Sequence, residues 1–132
     1  RLKLVVNLVL GLNRAVLAEG LVFARGLGLD PKATLEILRN GPAYSQAMDS
    51  KGSRMIDGDF TPVAKLSQHL KDVRLIRDAA ERAGLQLPLS ELHECLLLEA
   101  EALGYGASDN SAIIRALEAR ASENRMRSGQ AP

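Results

Sequence analysis

The chain opens with an apolar run that predicts a long helix at the centre of the fold. Residues 4–12 are apolar or glycine except for Asn7, and the apolar residues that follow recur on one side only. A helix that is apolar all round packs on several sides. We therefore predict a central helix over residues 2–27, in which Gly11 and Gly20 lie against close neighbouring helices.

Prolines, glycines and capping residues divide the rest of the chain into further helices. Asp30 followed by Pro31 is typical of a helix start, and Thr61–Pro62 repeats that pattern. No stretch alternates with period two, so the sequence predicts an all-α fold, a helical bundle around one long central helix. The predicted further segments are residues 31–40, 43–55 (weakly helical), 62–83, 88–104, and a last helix capped by Ser108 or Asp109. Residues 121–132 are predicted to be a flexible tail.

The helix predicted to start at Thr61–Pro62 carries the charged pair Lys71 and Asp72. Adjacent helical residues point about 100° apart, so a solvated charged face is the ordinary interpretation of these two. His69 has no second ligand at metal spacing, and we place it on the polar surface. The apolar stripe predicted to face the core is Leu66, Leu70, Val73, Ile76 or Leu75, and Ala80.

Composition excludes several classes of function. The 132 residues suit one domain, and the start at Arg1 suggests a fragment or a processed piece. The net charge of +1 and 3% aromatic content give no case for nucleic-acid binding. The single cysteine, Cys95, excludes an internal disulfide and a cysteine metal cluster, and it favours a cytoplasmic protein. The uninterrupted apolar run is shorter than the roughly 18 residues that span a bilayer, so we expect no membrane segment.

Lys3 and Asn7 are the first candidates for chemistry. Four residues apart, they share one face of the predicted first helix. An amine partly desolvated beside apolar side chains can exchange a proton near neutral pH, and an amide can orient a hydroxyl or carboxylate. A solvated lysine and asparagine at a helix start is the alternative. The sequence contains no GxGxxG and no P-loop, so this chain cannot by itself hold a dinucleotide pyrophosphate.

Six motifs follow one another along the chain: KLVVN, AEGLVFARGLGLDP, LRNGPAYSQ, DGDFTP, KDVRLIRDAAERAGLQLPL and ALGYGASDNSAIIRALE. Their order and spacing resemble the C-terminal domain of the β-hydroxyacid dehydrogenases, which include 3-hydroxyisobutyrate dehydrogenase and tartronate semialdehyde reductase. The resemblance runs from Lys3 to about Glu118. It implies the helical domain of a 6-phosphogluconate-dehydrogenase-like fold over residues 1–120, with the N-terminal Rossmann domain outside this chain. A 6-phosphogluconate dehydrogenase itself is disfavoured because its C-terminal domain is much longer.

The resemblance also implies roles for individual residues. Lys3 and Asn7 match the end of the family signature G-x-G-x-x-x-K-x-x-x-N, which makes Lys3 the catalytic acid and base and Asn7 a substrate-binding residue. Lys71 would lie beside the NAD or NADP cofactor, and Asp72 near the substrate. Ala64 stands where many members have an aromatic residue facing the substrate, which implies a roomier pocket.

The implied partners follow from the same resemblance. They are a hydroxy acid substrate, the Rossmann domain that carries the pyrophosphate site, and a second copy of the chain in a homodimer or higher oligomer. The isolated chain is expected to be inactive. The alternative is a non-catalytic helical module kept for dimerisation, which would have no need of the Lys3–Asn7 pair.

Overall fold

The computed structural model describes residues 1–129, and within that range it confirms an all-α fold without strands. The helices are α1 (Leu2–Gly26), α2 (Pro31–Arg39), α3 (Gln46–Asp57), α4 (Leu66–Arg82), α5 (Pro88–Ala100) and α6 (Ile114–Arg127). A π-helical turn, Glu101–Tyr105, and a 3₁₀ helix, Asn110–Ile113, join α5 to α6. Helix α1 contacts each of the other five helices, which confirms it as the central element.

Several helix ends lie where the local sequence predicts them. The side chain of Asp30 accepts a hydrogen bond from the N–H of Ala33, and Pro31 is the first residue of α2. Pro88 likewise begins α5. The chain leaves α1 and α4, and bends inside the π-helical turn, at glycines with positive φ, where a side chain would be strained. These are Gly28, Gly84 and Gly104.

Helix α4 begins later than predicted, so the start at Thr61–Pro62 is wrong. The N–H groups of Val63 and Ala64 both donate to the Oδ1 atom of Asp109. The carbonyl of Ala64 accepts a hydrogen bond from the N–H of Asn110, which follows Asp109. Backbone groups engaged by a distant segment are not available for a first helical turn. Residues 60–65 therefore form a loop that runs beside Asp109 before α4 begins.

The buried face of α4 contains the predicted stripe and one further residue. Leu66, Leu70, Val73, Ile76 and Ala80 are all buried. Of the two alternatives, Ile76 faces the core and Leu75 is 58% exposed. His69 is also buried, with 8% of its surface exposed, so the prediction of a surface histidine is wrong. Its position between Leu66 and Val73 places it on the core side of the helix.

The two ends of α1 differ in burial. Leu17, Ala18 and Leu21 are almost fully buried in the core. Ahead of Gly11 the apolar side chains are largely exposed, which corrects the expectation that this end packs on all sides within the chain. The exposed residues are Leu2, Val5, Val6, Val9 and Leu10. Five exposed apolar side chains at one end of a helix indicate a surface that binds a partner.

The two glycines inside α1 have different surroundings. A Cβ atom on Gly11 would lie 2.6 Å from Nε2 of His69, so the predicted close neighbour is present there. A Cβ on Gly20 would meet no atom within 4 Å, so the same prediction is wrong for Gly20. Only Gly11 is explained by close packing of helices.

Helix α1 also meets the length and hydropathy criteria for crossing a membrane. It has 25 residues and a mean hydropathy of 1.5 over its most apolar window, although Asn7 and Arg14 interrupt its apolar residues. The core helix of a soluble protein passes the same test, and α1 is packed against five other helices.

Helix α6 continues to Arg127, so residues 121–127 of the predicted tail are helical. Residues 130–132 of that tail lie outside the described residues.

Candidate functional site

The predicted site residues of α1 lie at its first two turns. Lys3 is exposed and Asn7 is partly buried, and they lie one turn apart on the same face. The half-buried lysine expected from the apolar surroundings is therefore not found in this chain. Any desolvation of its ammonium would have to come from a surface that covers this end of α1.

The second pair of predicted residues lies on α4, which packs against α1. Lys71 is exposed and Asp72 is partly buried. The ion pairs among residues 1–129 are made by other side chains, so Lys3, Lys71 and Asp72 keep their charges unpaired there. Unpaired ammonium groups on a partly apolar surface can bind an anionic ligand.

Helices α1 and α4 run antiparallel, and each carries one of the two predicted pairs. They cross where His69 meets Gly11, and nearer the start of α1 a groove is lined by Leu4 and Leu8 together with Ile76, Ala79 and Ala80. Asn7 lies one turn before Gly11. Asp72 follows His69 by three residues, so Asn7 and Asp72 both lie on the groove side of the crossing.

The loop that carries Ala64 is held by a buried carboxylate. Asp109 is fully buried, and its Oδ1 atom accepts from the N–H groups of Val63 and Ala64 at 3.0 and 3.1 Å. The ammonium of Lys51 donates to both oxygens of Asp109, at 3.0 and 2.9 Å. Ser111 donates to Oδ2 through its hydroxyl and its N–H. The Ala64 side chain itself is exposed at the surface of this loop.

The hydrogen bonds keep Asp109 ionised. Burial by itself would raise the pKa of its carboxyl, but hydrogen bonds from the Ser111 hydroxyl, the Lys51 ammonium and the backbone N–H groups of Val63 and Ser111 together hold the pKa of Asp109 well below its usual range. Sequence reasoning identified Asp109 only as a possible helix cap. The cap is confirmed by its bond to the Ser111 N–H, but nothing local in the sequence indicates the bonds to Lys51 and the loop.

A cluster of cationic and titratable side chains lies beneath the predicted site, at the crossing of α1 and α4. It consists of Arg14 from α1, His69 from α4 and His93 from α5, and the two imidazole rings lie 5.1 Å apart between centroids. The Nε2 atoms of both histidines and the Nε and Nη1 atoms of Arg14 are buried without a hydrogen-bond partner among the described residues. We call this set the Arg14–His69–His93 cluster.

Burial and charge keep both histidines neutral. Burial, then the charge of Arg14, then His93, lowers the pKa of His69 from 6.5 to about 3. Burial and then Arg14 lower the pKa of His93 from 6.5 to about 4. Burial also lowers the pKa of Arg14, and the charge of Asp109 opposes that shift. No group of three or more His, Cys, Asp or Glu side chains that could hold a metal ion occurs in residues 1–129.

Comparison with known proteins supplies the context for this geometry. Residues 1–117 match the profile of a family described as the NAD-binding domain of NADP-dependent 3-hydroxyisobutyrate dehydrogenase. The chain is 33% identical over 112 residues to 2-hydroxy-3-oxopropionate reductase of Escherichia coli, covering 85% of this chain and 38% of the reductase. It is 34% identical over 113 residues to the cytokine-like nuclear factor N-PAC of Aedes aegypti, covering 86% of this chain and 20% of that protein.

A solved structure with the same fold is a 3-hydroxyisobutyrate dehydrogenase from Salmonella typhimurium. The superposition gives a TM-score of 0.83 at 26% identity and covers 86% of this chain and 40% of the dehydrogenase. The chain thus spans less than half the length of the relatives that it matches.

Proposed function

Because the chain belongs to the 3-hydroxyisobutyrate dehydrogenase family, we propose that it is the helical domain of an enzyme that oxidises a β-hydroxy acid, or reduces the corresponding aldehyde acid, with NAD or NADP. The substrate would resemble 3-hydroxyisobutyrate or 2-hydroxy-3-oxopropionate. The observation that carries the proposal is the pair Lys3 and Asn7, one turn apart beside α4, in a chain that matches this family from residue 1 to residue 117.

Lys3 is proposed as the general acid and base. As a neutral amine its Nζ atom takes the proton of the substrate hydroxyl, and as an ammonium it returns a proton to the forming alkoxide. Its charge also stabilises that alkoxide. Because Lys3 is exposed in this chain, the cover that excludes water would come from the domain that completes the active site.

Asn7 and Asp72 are proposed to orient the substrate. The amide of Asn7 can donate to one substrate oxygen and accept from another group at the same time. Asp72 is partly buried and carries an unpaired carboxylate, which suits it to accept a hydrogen bond from a substrate hydroxyl. Ala64 contributes a small side chain on the loop that Asp109 holds, which leaves room for a larger acid.

Lys71 is the residue proposed to contact the cofactor. Its exposed ammonium suits a ribose or phosphate oxygen. When bound, the nicotinamide would supply the acceptor or donor of hydride. Residues 1–129 contain no strand and therefore no strand–turn–helix unit for a pyrophosphate. We propose that this site belongs to a Rossmann domain of the same protein.

The partners are proposed to be that Rossmann domain and a second copy of this chain. The exposed apolar side chains ahead of Gly11 on α1 need a cover, and a homodimer or higher homo-oligomer would supply it. We place the assembled enzyme in the cytoplasm, where a single unpaired cysteine is the ordinary case.

The test uses this chain extended upstream to include a nucleotide-binding domain. NAD(P)H absorbance is followed with a panel of β-hydroxy acids for the wild type, Lys3→Ala, and the control Lys32→Ala, an exposed lysine on α2. We expect Lys3→Ala to lose several orders of magnitude in kcat while remaining folded, and Lys32→Ala to keep full activity. The 132-residue chain alone should show no turnover. A specific rate from that chain alone would contradict the domain arrangement.

A non-catalytic interaction module remains the second candidate function. The similarity to N-PAC supports it, since that relative is named as a nuclear factor and not as a dehydrogenase. No activity of the extended wild type on any acid in the panel, or full activity of Lys3→Ala, would favour this candidate over the enzyme.

A further inference from the structure

One close contact of α1 with its neighbours is formed by a glycine and two buried histidines. A Cβ atom on Gly11 would lie 2.6 Å from Nε2 and 2.8 Å from Cε1 of His69, and 2.9 Å from Cε1 of His93. The two rings therefore lie directly against the α1 backbone. A Cβ atom at position 11 would force these rings, or the helices that carry them, to shift.

The polar character of this contact is unusual for a packed core. Buried polar atoms without partners are unfavourable, and His69, His93 and Arg14 together contribute four of them. Apolar side chains of similar size would fill the same space without that penalty. The Arg14–His69–His93 cluster thus lowers stability, and a contact kept at that cost is a candidate for a role in aligning α1 with α4.

The position of the contact relates it to the proposed active site. Asn7 precedes Gly11 by one helical turn, and Asp72 follows His69 by three residues. Since α1 and α4 run antiparallel, both residues lie on the same side of the crossing. A shift of α4 along or away from α1 at His69 would therefore displace Asp72 relative to Asn7 by a similar amount.

We propose that His69 is a positioning residue for this site. Packed on Gly11, it sets the separation and the axial alignment between the Lys3–Asn7 pair on α1 and the Lys71–Asp72 pair on α4, and it acts through those residues without touching substrate. The catalytic consequence rests on the proposed function. The alignment of α1 with α4 does not depend on the proposed function, because it concerns only two helices of this chain.

The test compares a variant in which position 11 clashes with His69 and a variant in which that clash is relieved. Gly11→Ala introduces the clash, His69→Ala removes the nearer ring, and the double variant Gly11→Ala/His69→Ala leaves only the 2.9 Å contact of the new methyl group with Cε1 of His93. Gly20→Ala is the matched control, since it makes the same change in the same helix where no atom lies within 4 Å. Each variant is first checked for its helical content and thermal midpoint.

The first measurement uses the full chain and the ¹⁵N NMR signal of the Asn7 side-chain amide. We expect this signal and the α1–α4 contacts near Asp72 to shift in Gly11→Ala and to return toward the wild-type values in the double variant. Gly20→Ala should leave them unchanged. An unchanged α1–α4 spacing in folded Gly11→Ala would overturn the proposal.

The second measurement uses the extended protein and separates kcat from KM. We expect Gly11→Ala to lower kcat by about tenfold or more, since small misplacements of reacting groups have effects of that order. The double variant should recover most of it. Wild-type kcat and KM in folded Gly11→Ala, or a double variant no better than the poorer single one, would reduce His69 to a packing role. An inactive wild type would refute the proposed function, while the NMR measurement would still decide the alignment.

Discussion

Lys51 and Asp109 form an ion pair in the interior although 58 residues separate them in sequence, with N–O distances of 2.9 and 3.0 Å. The Asp109 side chain is fully buried and that of Lys51 is 10% exposed. The same carboxylate holds the loop of Ala64, so this pair connects the core to the surface where substrate is proposed to bind.

Removing the charge of Asp109 should destabilise the fold strongly. In Asp109→Asn the ammonium of Lys51 loses its partner, and breaking a buried pair in this way typically lowers the free energy of unfolding by about 3 to 5 kcal/mol. The control is Glu99→Gln, which breaks the exposed pair with Arg120 and should change stability by less than about 1 kcal/mol. Urea unfolding followed by circular dichroism measures both. Equal losses of stability in the two variants would show that burial does not make the Lys51–Asp109 pair more important than an exposed pair.

The protein should lose stability on mild acidification because of His69 and His93. Both have folded pKa values below the ordinary 6.5, at about 3 and about 4. The unfolded chain therefore binds protons first as pH falls, so the stability is complete above pH 6.5 and decreases toward pH 4. At pH 5 the expected loss is on the order of 2 kcal/mol for each histidine.

Two variants identify the groups responsible for this acid sensitivity. His69→Gln and His93→Gln should each flatten the dependence of the urea midpoint on pH between 7 and 5. The Asp109 carboxylate, whose pKa is lowered, loses its own contribution only below about pH 4, because its unfolded value lies there. A midpoint that is constant from pH 7 to pH 5 in the wild type would show that the histidines are not held neutral by the fold.

Substrate choice should depend on the side chain at position 64. In Ala64→Phe an aromatic ring would enter the proposed pocket, and we expect the relative kcat/KM of large and small β-hydroxy acids to change by about tenfold in favour of the small ones. Val63→Phe is the neighbouring control, since Val63 is 81% exposed. Both are measured in the extended protein. An unchanged substrate ranking in Ala64→Phe would show that residue 64 does not line the substrate pocket.

The chain should associate with itself through the first turns of α1. Light scattering at tens of micromolar is expected to give the mass of a dimer, and Val9→Glu should give a monomer, because a charge would be buried in the interface. The control is Ile37→Glu on α2, which removes a comparably exposed apolar side chain at a distance from that face and should remain dimeric. A monomeric wild type would contradict self-association, and the Rossmann domain would then be the proposed cover of this face.

Local signals in the sequence were sufficient for most of the helices but not for the loop of Ala64. Asp30, Pro31 and Pro88 act within one helical turn, so their effects can be predicted from neighbouring residues alone. The start of α4 could not be predicted in this way. Thr61–Pro62 is a sound starting signal, but the backbone of residues 63 and 64 is engaged by Asp109, about 45 residues downstream.

The burial of His69 follows from its position on the helix and not from its residue type. His69 lies between Leu66 and Val73 at the three- and four-residue spacing of the core face, and this spacing was visible in the sequence. Its partner His93 occupies the same kind of position on α5. That the two would meet at Gly11 depends on how three helices pack, which no local pattern contains.

The bonds from Val63 and Ala64 to Asp109 also determine when this loop becomes ordered during folding. These amides are protected by a residue far along the chain, so their contact forms only once the segment before α6 has docked. Hydrogen exchange at both amides would then require the opening of that long-range contact and not of a helix turn nearby. The surface proposed to select the substrate therefore depends on a segment that follows α5 in sequence and not only on the loop that carries Ala64.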